Sequence, residues 1–130
     1  MGIITSEMMA MIENEQCFVV TADHTGQPSA APKGSMIVVD EKTLAYGEAL
    51  GKQTYENIRE NPKVAVVVAD RDAQKGYRFT GTAELRSGGP VFTRFSERFG
   101  RMDLILKAVV VITINEIYDL SVKNAGAKIG

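Results

Sequence analysis

The sequence is short of several things that chemistry usually needs. Among its 130 residues there is one cysteine, Cys17, and one histidine, His24. A single cysteine forms no internal disulfide, which suits a reducing compartment. Cys17 heads an apolar run, so a buried thiol is expected rather than a nucleophile. His24 lies in the turn Asp23-His24-Thr25-Gly26, where a histidine is ordinarily solvated. Ser-His-Asp and Cys-His arrangements would both have to use it, and a metal site would find only these two soft ligands. The carboxylate pairs Asp40-Glu41 and Asp70/Asp72 occupy turn positions. The formal net charge is −1, with no basic excess to favour nucleic acid or an anionic membrane. No apolar stretch is long enough to cross a bilayer, and no basic-then-apolar leader opens the chain, so a cytoplasmic protein is expected. There is no dinucleotide fingerprint, since Gly34 and Gly51 stand alone.

What is present reads as one domain over 1–130, with 123–130 expected to fray. A hydrophobic content of 45 % is enough for a core without cross-links. Thr5–Glu15 carries Ile4, Met8, Met11 and Ile12 at helical spacing, with Thr5 or Ser6 as cap. Cys17–Ala22 is a strand, and a second strand begins at Gln27-Pro28. Pro28 and Pro32 make that strand an edge strand or a bulged one, because proline gives a ladder no donor. Met36–Val39 and Thr43–Gly47 form a further hairpin. Val64–Ala69 is a continuous apolar run, expected to be buried on both faces. Tyr77–Arg86 alternates, with Phe79, Gly81, Ala83 and Leu85 on one face. Pro90 starts a helix whose stripe of Phe92, Phe95, Phe99 and Met102 reads as core. Val109–Ile114 is a strand, extended by Ile117–Val122 after a bend at Asn115-Glu116. Short turns between the strands predict a mainly β fold. Six or so antiparallel strands that could close into a small barrel, with two or three short helices, are expected.

The chain turns on the stretch Ala45–Val68. There a strand runs through Glu48, Ala49, Leu50, Gly51, Lys52, Gln53 and Thr54 into a short helix, about Thr54–Glu60, stopped by Pro62. Gly51 allows close backbone approach, Lys52 brings charge, and Gln53 and Thr54 bring donors. A helix start with free N–H groups and a positive dipole end is an anion site. The plainer reading is a surface helix capped by Thr54 or a neighbour. Lys33-Gly34 repeats the theme of a cation beside a residue without Cβ, after the small run Ser29-Ala30-Ala31, against which something flat can lie. With no acid, base or nucleophile in evidence, any reactive atom would come from a bound redox cofactor.

Taken in order, several motifs resemble one family. They are Gly26-x-Pro28, Lys33, Lys52-Gln53-Thr54, Asn57-Ile58, Asn61-Pro62-x-Val64 and Gly81-Thr82-Ala83. The family is that of the pyridoxamine 5′-phosphate oxidase-like FMN-binding split barrels, and the likeness runs from about Met8 to Leu120. It implies a mainly β fold, a six-stranded antiparallel split β-barrel of Greek-key type flanked by two to three helices, and an FMN-binding flavoprotein, an oxidoreductase or electron carrier working through the flavin N5. Pro32, Lys33 and Gly34 would line the ring and ribityl chain. Glu48, Ala49, Leu50 and Gly51 would pass the ring edge, and Lys52, Gln53 and Thr54 would hold the phosphate. The resemblance also implies a homodimer with flavin at the interface, which Lys107–Tyr118 would reach from the partner. Gln53 stands where relatives often carry Lys or Arg, so Lys52 or another base would have to neutralise the phosphate, and Arg78 is a candidate. The Arg- and His-bearing C-terminal extension of the named oxidases is missing, so that activity is not expected. Other barrels of this kind bind haem or the deazaflavin F420, or serve as structural dimers.

Overall fold

A computed structural model describes residues 3–49 and 52–130. Helix α1 (Ser6–Asn14) opens the chain behind a capping box in which Met8 N donates to Thr5 Oγ1 at 3.3 Å. Its Met8, Met11 and Ile12 are buried, as the helical spacing requires. Strands β1 (Cys17–Ala22) and β2 (Pro28–Pro32) form the first hairpin, and β3 (Ile37–Asp40) and β4 (Thr43–Glu48) the second. Helix α2 (Gln53–Glu60) leads to the hairpin β5 (Lys63–Asp70) and β6 (Lys75–Arg86). Helix α3 (Pro90–Gly100) returns the chain to β7 (Ala108–Asp119) and β8 (Ala127–Lys128).

All eight strands belong to one antiparallel sheet, ordered β2-β1-β5-β6-β7-β4-β3, with β8 on β7. The two ends of that order are consecutive in the chain. Laid flat, six strand spacings would put β2 and β3 roughly 29 Å apart. The link from Pro32 to Ile37 reaches at most about 17 Å. The sheet therefore curls until its edges face each other without pairing, and this is the split barrel.

The main core fills the barrel with Val19, Tyr46, Val66, Phe79, Val110, Ile112 and their neighbours, closed at one side by α1. A smaller core lies outside the wall, where Phe95 and Phe99 of α3 pack on Ala45, Val109 and Val111. This corrects the reading of β5 as the strand covered on both faces. Val64, Val66 and Val68 are buried, but Ala65 and Val67 are half-buried and Ala69 is exposed. The doubly covered strand is β7, buried without a break from Ala108 to Ile112, because α3 lies over its outer face.

Every segment read as a strand forms one, and the expected six strands become eight partly through the C-terminal segment. Residues expected to fray instead turn back, so that Ala127 and Lys128 pair with Asp119 and Tyr118. The expected bend at Asn115-Glu116 is a bulge within a continuous β7, since Thr80 pairs with Glu116 and Gly81 with Ile114.

Cys17 is buried at the start of β1, and burial pushes its thiol pKa up to about 11. The native protein should therefore react with a thiol-disulfide reagent at neutral pH at least about a hundredfold more slowly than the urea-unfolded chain. Equal rates in the two states would contradict this burial.

Candidate functional site

Between β2 and the end of β4 lies a cavity of about 700 Å³, within the size range of small-molecule sites. One wall is β2 and the link after it, from Ser29 to Ser35. Its side chains are small up to Pro32, leaving a shallow surface. The opposite wall is the end of β4, Gly47 to Ala49, followed by Lys52, Gln53 and Thr54 at the head of α2. Arg98, Phe99, Met102 and Leu104 close the third side from α3 and the loop after it.

Two contacts lace the link to β4 across the split. Lys33 Nζ donates to Glu48 Oε1 at 3.0 Å, with both side chains largely buried. Ser35 Oγ accepts from Gly47 N at 3.0 Å, while Arg98 Nη1 donates to the Ser35 carbonyl at 3.4 Å. Gly47 is required by packing, because a Cβ there would lie 2.6 Å from Phe99 Cζ. Beneath the pair, the Lys33 ammonium stands 5.3 Å from the ring centroid of Tyr46. The Tyr46 hydroxyl is buried without a hydrogen-bond partner among the described residues. Burial, and then the Glu48 charge, hold that phenol far above its ordinary pKa, so it is a neutral group and not a base.

The head of α2 departs from the plainer reading of a capped helix. Lys52 is the N-cap, and among the described residues no side-chain cap closes the first-turn N–H groups. Thr54 is not a cap but the second helical residue, 5 % exposed, and it lines the cavity. The helix is held from below: Asn57 Nδ2 donates to Thr21 Oγ1 of β1 at 3.0 Å, and Gln53 Nε2 donates to Asn57 Oδ1 at 2.6 Å. This chain fixes the direction in which the uncapped N–H groups point. The cavity wall thus carries Lys33, Lys52 and Arg98 against the single carboxylate of Glu48, a positive balance beside a positive dipole end.

Of the residues singled out in the sequence, Pro32, Lys33, Gly34, Glu48, Ala49, Lys52, Gln53 and Thr54 all line this cavity. Leu50 and Gly51 lie outside the described residues. Arg78 is elsewhere, on β6, with its guanidinium 4.4 Å over the Tyr118 ring. His24 is also remote, exposed and paired with Glu60 at the far end of α2. The hydrogen bond to Glu60, and then its charge, raise the His24 pKa. Sequence reasoning missed Arg98 and the cavity-facing end of the phenylalanine stripe. The stripe itself was visible, but which of its members face inward depends on how α3 docks on β4 and β7. No group of three or more potential metal ligands exists among the described residues, and no helix there is long and apolar enough to cross a membrane.

A family model described as pyridoxamine 5′-phosphate oxidase matches residues 4–121. The chain belongs to that family. A protein of Methanocaldococcus jannaschii described as uncharacterized is 36 % identical over 122 residues, which cover 90 % of this chain and 80 % of that protein. The crystal structure of Group A Streptococcus HupZ superposes with a TM-score of 0.88 at 37 % identity, covering 98 % of this chain and 99 % of that one. A structure from Lactobacillus delbrueckii, described as a putative pyridoxamine 5′-phosphate oxidase, gives a TM-score of 0.78 at 29 % identity, covering 91 % and 99 %. Both structures thus align with nearly the whole of this chain.

Proposed function

We propose that this family member binds FMN in the split of the barrel and serves as a flavin-dependent oxidoreductase or electron carrier. The observation that carries the reading is the head of α2: first-turn N–H groups with no side-chain cap among the described residues, beside the largely buried Thr54, at the wall of a cavity. Those donors suit the terminal phosphate. The residues present fit the rest of the group as well. The small-residue wall Ala30-Ala31-Pro32 offers a face for a planar ring, with Phe99 and Met102 across from it. Lys33, steadied by Glu48, would place a positive charge near the ring, and Lys52 would stand at the phosphate.

When bound, the flavin supplies the one- and two-electron chemistry that these side chains lack. The protein's share is to bind it, orient it and keep one face dry. The open side of the cavity is bordered by Met102 and Leu104, with the strongly exposed Ile105 next in the chain. A second copy of the chain covering this apolar rim, in a homodimer, fits that exposure. Nothing in the cavity favours haem: His24 and Cys17 stand outside it, leaving Met102 as the soft ligand on its walls.

Titration of the purified protein with FMN, followed by flavin fluorescence, tests this. Saturable binding is expected at one FMN per chain. Lys52→Ala and Thr54→Val should each weaken it by about tenfold or more, with melting temperature little changed. A wild-type chain that takes up no FMN would refute the reading.

A further inference from the structure

Among the described residues that line the cavity, Glu48 is the single carboxylate. Its pair with Lys33 is also the driest ion pair there. The Lys33 and Glu48 side chains are 15 % and 7 % exposed, whereas in every other described pair both partners are more than a third exposed. Burial of this kind adds little net stability, because the attraction between the charges is largely offset by the water that both lose. An apolar pair of similar size would fill the wall as well. What it would lack is charge beside a bound ligand.

The two charges are held differently. Lys33 has a second support, since its ammonium stands 5.3 Å from the ring centroid of Tyr46, and an aromatic face attracts a cation. The lysine can therefore keep its place when Glu48 is made neutral. The carboxylate, 3.0 Å from Lys33 Nζ, cancels most of the field that this ammonium would send into the cavity. That cancellation matters to a redox ligand. Taking up two electrons and one proton leaves a flavin ring one negative charge richer. A positive wall favours the reduced ring, and a neutral wall favours neither state.

We infer that Glu48 sets the redox potential of the ligand in this cavity, as a counter-charge that holds it below the value the Lys33 ammonium alone would give. The inference rests on the flavin reading above and deepens it. Glu48 acts through the charge of Lys33, and is a positioning and potential-setting residue rather than a catalytic one.

A redox titration of the FMN-loaded full chain tests this, with dithionite as reductant and the flavin absorbance read against a reference dye. Glu48→Gln keeps an oxygen that can accept from Lys33 Nζ and removes the charge. It should favour reduced over oxidised FMN about tenfold more than the wild type does. For a two-electron couple that is a rise of about 30 mV. Glu48→Asp keeps the carboxylate and should stay near the wild-type potential. Lys33→Met/Glu48→Gln makes the wall neutral again and should return the preference to within about twofold of wild type. A Glu48→Gln potential that is unmoved or lowered overturns the inference alone. So does a rise that persists in the double variant or appears equally in Glu48→Asp, since shape rather than charge would then be the cause. A wild type that takes up no FMN removes the flavin reading and this inference with it.

Discussion

Gly81→Ala should cost the protein about 3–4 kcal/mol, the largest effect expected of any single methyl group. Gly81 lies in β6 where the register with β7 shifts and Asn115 is left over. A Cβ there would run into the backbone carbonyl oxygen of Thr113, with the Thr113 carbonyl carbon at 3.0 Å and Ile112 Cγ2 at 3.2 Å. Backbone cannot rotate aside as a side-chain tip can, so the strands must part at their longest pairing. For a chain of this size the loss should lower the melting temperature by roughly 10–20 °C, read by far-UV circular dichroism. Gly88→Ala is the control. Nothing lies within 4 Å of the point a methyl group would occupy there, and the change should be neutral or slightly stabilising. A Gly81→Ala melt within a few degrees of wild type would show that the bulge yields easily.

Lys33→Met should come next, at about 3 kcal/mol. The methionine covers the lysine stem, so what is lost is the ammonium. Glu48, 5 % exposed, then keeps a carboxylate in the cavity wall with no cation beside it. The double variant Lys33→Met/Glu48→Gln removes that orphaned charge and should recover much of the stability. Urea unfolding of the four-member cycle measures the coupling. A double variant as unstable as Lys33→Met would mean that the lysine acts through packing on Tyr46 rather than through Glu48.

Much of this architecture was legible because it is local. Thr5 before an apolar helix spacing, the turn around Gly26 and the stop at Pro62 act within a few residues. So does the change from strand to helix around Lys52. The misreadings arose where a distant partner decides. Val64–Ala69 and Val109–Ile114 look alike as apolar runs, yet only the second has α3 on its outer face. The C-terminal segment is polar and glycine-bearing, and nothing near it announces that Ala127 and Lys128 meet the end of β7. The cavity shows the same division. Its charged lip at Lys33 and Lys52–Thr54 is readable as short motifs. Arg98 reaches the cavity from an element far along the chain. Arg78, chosen for its charge, lies instead against Tyr118.

The split also bears on how the barrel breathes. β2 pairs only with β1, and β3 only with β4, so these two strands are hydrogen-bonded along one side. Their amides should exchange with deuterium well before those of β5, β6 and β7, which are flanked on both sides. A ligand seated between the two edges would act as a removable rivet. Exchange at Ala30 and Ala31, which line the cavity, should then slow on loading, while the strands opposite stay as they were.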